Sequence, residues 1–406
     1  MPLIRLNLLI LLLASVPASP LLAGPVKPGI EVLIADKLDL VRDKRVGLLT
    51  NPSAVDSQLV PTLNRLRQAG VEVTQLFAPE HGIEAALANG KGGAKGIDAA
   101  SGLPVEPVWG AHFSPSQASL DRIDVLIYDI QDIGSRTYTF ATTLGKLMVA
   151  AGAAHKTLLV LDRPNPGGGL LFEGPLREAK YKSLVGWGPL PVTHGMTSGE
   201  LARFYQQELK IKVDLQVVPM QGWRRDMVWE DTGLPWVPSS PGIPHELNAH
   251  LYVATGMVGG CGANVNEGGG NSMPFELIGA PYIDPQKLAD CLRAEALPGV
   301  LFRPMSWKPR AGAQFSGQLV HGVQLVLTNP KIFKPLQTAL AILHTLYKLF
   351  PEQVRIKDIG RFGRVWGTER VLKALQEGVD WRKIEAAWQP ELAEFALKRQ
   401  KALLYP

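Results

Sequence analysis

Cysteine is nearly missing: Cys261 and Cys291 are the only two among 406 residues. That excludes a disulfide framework and leaves one bridge at most, in an oxidising compartment. Past the first 25 residues no run approaches the roughly 18 apolar residues of a bilayer-crossing helix. No Lys/Arg block occurs either. The 42 basic and 37 acidic residues are interspersed, net +5, and without a basic stripe nucleic acid is not expected as a partner. Internal repeats and low-complexity segments are absent. So are the usual signatures of phosphate and acyl chemistry. "GKGGAKG" at 90–96 does not fit G-x-G-x-x-G, and "LGKLM" lacks the flanking residues of a P-loop. Ser198 in "GMTSGE" stands outside a G-x-S-x-G frame and reads as the start of a helix. His81, His194, His245 and His250 share no H-E-x-x-H or C-x-x-C spacing, so neither a metal nor another cofactor is expected. His245 and His250, five apart, read as loop histidines.

What is present fits an exported globular protein. Hydrophobic residues make up 46% and charged residues 19%, and the length exceeds what one hydrophobic core usually serves, so two domains are expected. The start "MPLIRLNLLILLLASVPASPLLAGP" pairs Arg5 with an apolar run from Leu6 to Val16 and small residues at Ala18 and Ala23. This pattern predicts a signal peptide over residues 1–23. A periplasmic or secreted protein follows, without stable membrane insertion after cleavage.

Short apolar runs recur between helical patterns: "RVGLLTN" at 45–51, "VTQLFAPE" at 73–80, "DVLIYDIQD" at 124–132, "TLLVLDRPN" at 157–165 and "VDLQVVPM" at 213–220. Their near-continuous hydrophobicity predicts parallel strands covered on both faces, with helices over 57–69, 137–152 and 197–209. The fold class is α/β, a doubly wound sheet over residues 28–240. At "WEDTGLPWVPSSPGIP" the rhythm stops, and a smaller α+β domain is expected over 241–406, with "HGVQLVLT" as a strand and helices at 333–349 and 367–378.

Four strand ends carry polar residues: Thr50 and Asn51; Glu80 and His81; Asp129, Gln131 and Asp132; Asp162, Arg163 and Asn165. In open α/β sheets ligands bind outside the carboxyl ends of the strands, so four such ends on one rim predict a site. Carboxylates then stand out on loops: Glu80, Glu173 in "FEGPL" and Glu267 in "NVNEGGGN". Cleaving a glycosidic bond needs one protonated carboxyl for the leaving oxygen and one ionised carboxylate for water or the sugar carbon.

The strings "LFAPEHGI", "SGLPVEPVWG", "DIQDIGSRTYTF", "LDRPNPGGG", "LPVTHGMTSGELA" and "PFELIGAPYID" together resemble the NamZ-type exo-β-N-acetylmuramidase family, from about residue 30 to the C-terminus. The resemblance implies a glycoside hydrolase with a Rossmann-like domain and a smaller second domain. Its expected partners are peptidoglycan fragments, from whose non-reducing ends it releases terminal N-acetylmuramic acid. It carries the catalytic role onto Glu80 in E-H-G. Glu173 in E-G-P follows as the second carboxylate, and His81, Asp129, Gln131, Arg136, Arg163, Asn165, His194 and Glu267 as substrate-binding candidates. Glu80, directly after a strand, is expected to be the partly buried general acid, and Glu173 the nucleophile or base. Arg136 or Arg163 is expected to pair with the lactyl carboxylate of the sugar. The chain departs from the family's N-V-S-E-G-R-G-T-T-R-P-F pattern, with Gly269 and Met273 where arginines are usual. The alternative is a binding protein for such fragments that kept the cleft and lost turnover, or one of altered specificity.

Overall fold

The computed structural model describes residues 25–110 and 113–406, so the expected signal peptide lies outside the described residues. Seven strands form the larger sheet: β1 Arg45–Leu49, β2 Glu72–Ala78, β3 Gly96–Ile97, β4 Pro104–Pro107, β5 Val125–Tyr128, β6 Thr157–Leu161 and β7 Asp214–Val218. Their order is β3-β4-β2-β1-β5-β6-β7. All neighbours are parallel except the two-residue edge β3, which runs antiparallel to β4.

Strand periodicity explains the two covered faces. Val46, Leu48, Leu76, Val125, Ile127, Leu159 and Leu161 enter one core with Ile30, Leu33 and Leu66 from the helices Gly29–Asp36 and Thr62–Gln68. Their alternates Leu49, Phe77, Leu126, Tyr128, Leu158 and Val160 enter the opposite core beneath the helices Thr139–Ala153 and Ser198–Glu208. Successive side chains leave opposite faces of a strand, so these near-continuous apolar runs serve two cores at once. Ser198 opens its helix as expected, behind a Thr197 cap whose partner in the capping box is Glu200.

The second sheet is antiparallel, with β8 Leu277–Ala280, β9 Val300–Trp307 and β10 Val320–Leu327 in the order β8-β10-β9. One face packs on the helices Pro285–Ala294 and Pro335–Leu349. His250 corrects the loop assignment. It lies in the helix Glu246–Leu251 and pairs with Glu230 at 3.2 Å. Both cysteines are free thiols, and Cys261 is buried.

The chain returns to the first sheet at its end. Phe395 of the helix Gln389–Gln400 packs with Phe204. The Leu404 N–H donates to Glu200 at 2.8 Å, and the Tyr405 hydroxyl donates to Asp162 at 2.5 Å. The buried Arg225 guanidinium pairs with Glu200, and the Arg225 N–H donates to the Pro406 carbonyl at 3.1 Å.

Candidate active site

The strands β2, β1, β5 and β6 are adjacent and parallel, so their four polar ends do share one rim. Strand order reverses between β1 and β5, where a ligand crevice is expected. Here protein fills much of it. Asn51 Nδ2 donates to the Ser239 carbonyl at 3.0 Å, and the Tyr138 hydroxyl meets Ser239 Oγ at 2.8 Å. Gln131 is bound inward as well, its Nε2 donating to the Asp132 and Pro164 carbonyls, both at 2.7 Å.

Glu80 follows β2 and is buried, 8% exposed. One carboxylate oxygen accepts the Gly90 N–H at 2.6 Å, and the other accepts the Thr139 hydroxyl at 2.5 Å. The turn that aims it is strained: His81 has φ 73° and Gly82 φ 78°. A non-glycine residue in the left-handed region costs on the order of 1–3 kcal/mol. His81 is held there by Nδ1, which donates to the Leu87 carbonyl at 2.8 Å, and by its N–H to the Lys91 carbonyl at 2.7 Å. The E-H-G triplet is thus a turn locked by its own following loop.

Asp129 and Arg163 form a buried pair, with Nε to Oδ1 at 2.5 Å and Nη2 to Oδ2 at 3.0 Å. Thr62 Oγ1 donates to the same carboxylate at 2.5 Å, and Arg163 Nη2 also donates to the Val55 carbonyl at 2.8 Å. The pair ties β5 and β6 to the loop after β1. Arg136, 1% exposed, donates to the carbonyls of Val185 at 3.0 Å, Arg364 at 3.3 Å and Val365 at 2.7 Å. Both arginines expected to meet a lactyl carboxylate are therefore engaged with protein groups. Burial pushes Arg136 down to about 9, with Arg177 adding to the effect.

Glu173 and Glu80 have no hydrogen-bond partner in common among the described residues. The Glu173 carboxylate accepts the Leu336 N–H at 3.2 Å, at the start of the helix Pro335–Leu349. Its backbone bridges to Thr193. The carboxylate meets the positive end of that helix. Burial nevertheless pushes the carboxyl up to about 7 from its ordinary 4.5, against the Leu336 N–H. The unfolded chain gives up this proton near pH 4.5, while the folded chain keeps it to about 7. Its stability contribution is therefore full below pH 4.5 and is lost as pH rises toward 7, by on the order of 3 kcal/mol at most. In Glu173→Gln the fall in thermal midpoint between pH 5 and pH 8 is expected to shrink. Equal falls in the two proteins would rule this out.

Asn165 and His194 support the rim beside Gly134. Asn165 Nδ2 donates to the Met196 carbonyl at 3.1 Å, and His194 Nδ1 accepts the Met196 N–H at 3.2 Å. Burial, with the Arg399 charge, pushes His194 down to about 3, so it is neutral. Gly134, Asn165 and Thr193 line a narrow crevice of about 40 Å³ with His250 and Phe333. Glu267 lies beside the glycine-rich helix Met257–Gly260, against Gly259, and burial raises its carboxyl. Met273, in place of a usual arginine, packs with Leu277, Trp307 and Val320.

Two residues outside the expected set belong to the surroundings of the rim: Asp132 after β5, and Tyr252, whose hydroxyl donates to the Thr137 carbonyl at 3.4 Å. Asp132 accepts the Gly134 N–H at 2.7 Å through Oδ1, while its buried Oδ2 has no hydrogen-bond partner among the described residues. Burial pushes it up to about 7. Tyr252 has its hydroxyl pushed up to about 12, first by burial and then by the charges of Glu80 and Asp132. One tyrosine thus feels both carboxylates. Asp132 was readable as the last acid of the strand-end string "DIQD". Tyr252 has no motif signal.

Family models described as "Exo-beta-N-acetylmuramidase NamZ, N-terminal" and "C-terminal" match residues 46–247 and 250–405. The peptidoglycan beta-N-acetylmuramidase NamZ of Bacillus subtilis (strain 168) is 38% identical over 381 residues, covering 94% of this chain and 91% of that protein. Two crystal structures of DUF1343 family proteins from Bacteroides fragilis NCTC 9343 are also similar. One is 35% identical with a TM-score of 0.87, the other 26% identical with a TM-score of 0.75. Each covers 94% of this chain and is itself covered to 99%.

Proposed function

Because the chain belongs to the NamZ exo-β-N-acetylmuramidase family, we propose that it is an exo-acting glycosidase that removes terminal N-acetylmuramic acid from the non-reducing ends of peptidoglycan fragments. The observation that carries the reading is Glu80, placed at the rim of the sheet by a locked turn and oriented by two hydrogen-bond donors. Glu80 protonates the glycosidic oxygen as the bond to the anomeric carbon breaks, and water supplies the new hydroxyl of the released sugar. Asp132 is better placed than Glu173 for the second carboxylate. It follows β5 on the same rim of the sheet as Glu80, whereas Glu173 caps a helix. The two halves matched separately by the family models supply different walls, in keeping with a catalytic domain completed by a smaller one. Export to the periplasm or medium, with residues 1–23 removed, fits a cell-wall substrate. Among the described residues no helix is long and apolar enough to cross a membrane.

The test is incubation of the purified mature chain with defined N-acetylmuramic acid–N-acetylglucosamine disaccharides, with and without stem peptide. Release of free N-acetylmuramic acid from the non-reducing end is expected. Binding of the saccharide with no release would favour the alternative of a binding protein.

A further inference from the structure

An open groove of about 400 Å³ is lined by Thr137 and Val185 on one side and by Tyr252, Gly260, Arg361 and Arg364 on the other. Thr137 stands two residues before Thr139, the hydroxyl donor to Glu80, and the Tyr252 hydroxyl donates to the Thr137 carbonyl at 3.4 Å. The short segment Thr137–Thr139 thus joins this groove to the carboxylate assigned to the chemistry. The groove's two walls are held together from beneath by Arg136, whose donors join the Val185 carbonyl on one wall to those of Arg364 and Val365 on the other.

Arg361 and Arg364 lie one turn apart on the helix Ile359–Trp366, and both are exposed. Arg361 is anchored by Nε, which donates to the Gly260 carbonyl at 2.8 Å. That bond fixes the plane of the guanidinium, and its two terminal nitrogens remain for a second partner. Among the described residues the Arg364 guanidinium has one ion-pair contact, at 3.5 Å to the exposed Asp358. A Cβ on Gly260 would meet nothing within 4 Å, so the groove is open at the point where Arg361 reaches it. The same chain has Gly269 and Met273 in its glycine-rich loop, and its buried Arg136 and Arg163 are bound to protein groups.

We propose that Arg361, supported by Arg364, is the carboxylate-recognition site of this protein, and that the groove seats the acidic substituent of the terminal sugar. This inference rests on the glycosidase reading above. The ligand chemistry is a carboxylate, and it has two possible sources: the lactyl group of N-acetylmuramic acid, or the acidic groups of a stem peptide attached through it. An anchored guanidinium presents a planar fork that matches a carboxylate, which a lysine ammonium does not.

Arg361→Ala and Arg361→Lys are compared with wild type on three substrates: the disaccharide with a free lactyl carboxylate, the same disaccharide with that carboxyl amidated, and the disaccharide carrying a stem peptide. Losing a hydrogen bond to a charged group is expected to raise KM about 10- to 100-fold in Arg361→Ala, with kcat little changed. Arg361→Lys recovers part of the loss. Loss on the free-carboxylate substrate assigns the lactyl group, and loss only on the peptide-bearing one assigns the peptide. The amidated disaccharide is expected to be insensitive. Equal losses on the amidated and free-carboxylate substrates, or no loss on any, would overturn the proposal. Calorimetric binding of N-acetylmuramic acid to wild type and Arg361→Ala separates this from the catalytic reading. Weakened binding in the variant supports the groove even where no disaccharide is cleaved, and equal binding together with unchanged KM for the peptide-bearing substrate removes it.

Discussion

Glu80→Gln is expected to lose about 10²-fold or more in kcat, the range for removing a general acid, while its thermal midpoint stays close to wild type. Glutamine nearly preserves the volume. Its oxygen can still accept the Gly90 N–H, and its NH₂ can donate to the Thr139 hydroxyl, so both orienting contacts survive. What disappears is the proton. Asp132→Asn and Glu173→Gln complete the experiment. Asp132→Asn is expected to be as damaging, whereas Glu173→Gln is expected to keep most of its turnover, because that side chain caps a helix. Steady-state rates on the disaccharide decide the matter. Wild-type turnover by Glu80→Gln would remove Glu80 from the chemistry, and a dead Glu173→Gln with an active Asp132→Asn would return the second role to Glu173.

Asp129→Ala is expected to be the most destabilising of the single substitutions considered, by about 3–5 kcal/mol. The substitution leaves the Arg163 guanidinium, 5% exposed, without its bidentate partner in a site closed to water. It also strands the Thr62 hydroxyl. Replacing both members of the pair by apolar residues removes the uncompensated charge, so Asp129→Leu with Arg163→Met is expected to recover most of the loss. Urea unfolding of the single and double variants gives the comparison. A loss below about 1 kcal/mol in Asp129→Ala would show that the charge is relieved by water.

The sheet was legible because its strands are continuous apolar runs. Phe77 and Leu76 enter opposite cores, and this pattern is readable without knowing which strands pair. β4 was missed because "PVEP" begins and ends on proline, β8 because "LIGA" is four apolar residues that could belong to helix or strand, and β9 because Arg303 and Pro304 interrupt its run. At the site, Glu80 could be found because strand, acid and turn are contiguous in the chain. The fate of Arg136 could not, because its partners Arg364 and Val365 are 228 and 229 residues away. The same holds for Arg163, whose environment is made by Asp129 and Val55 from other strand ends. A guanidinium in a sequence looks alike whether it awaits a ligand or holds two loops together. Only the fold distinguishes the cases.

The closing segment of the chain makes the two halves of the molecule depend on each other. Leu404 and Tyr405 supply donors to Glu200 and Asp162, groups that lie under the first sheet and are buried. Some 200 residues of chain separate Glu200 from Leu404. Without the segment Gln389–Pro406, the Ser198–Glu208 helix lacks both a donor to Glu200 and the Phe395 contact that covers Phe204. The amino-terminal half on its own therefore carries an uncovered apolar strip, so a version cut before Gln389 is expected to self-associate where the full chain does not.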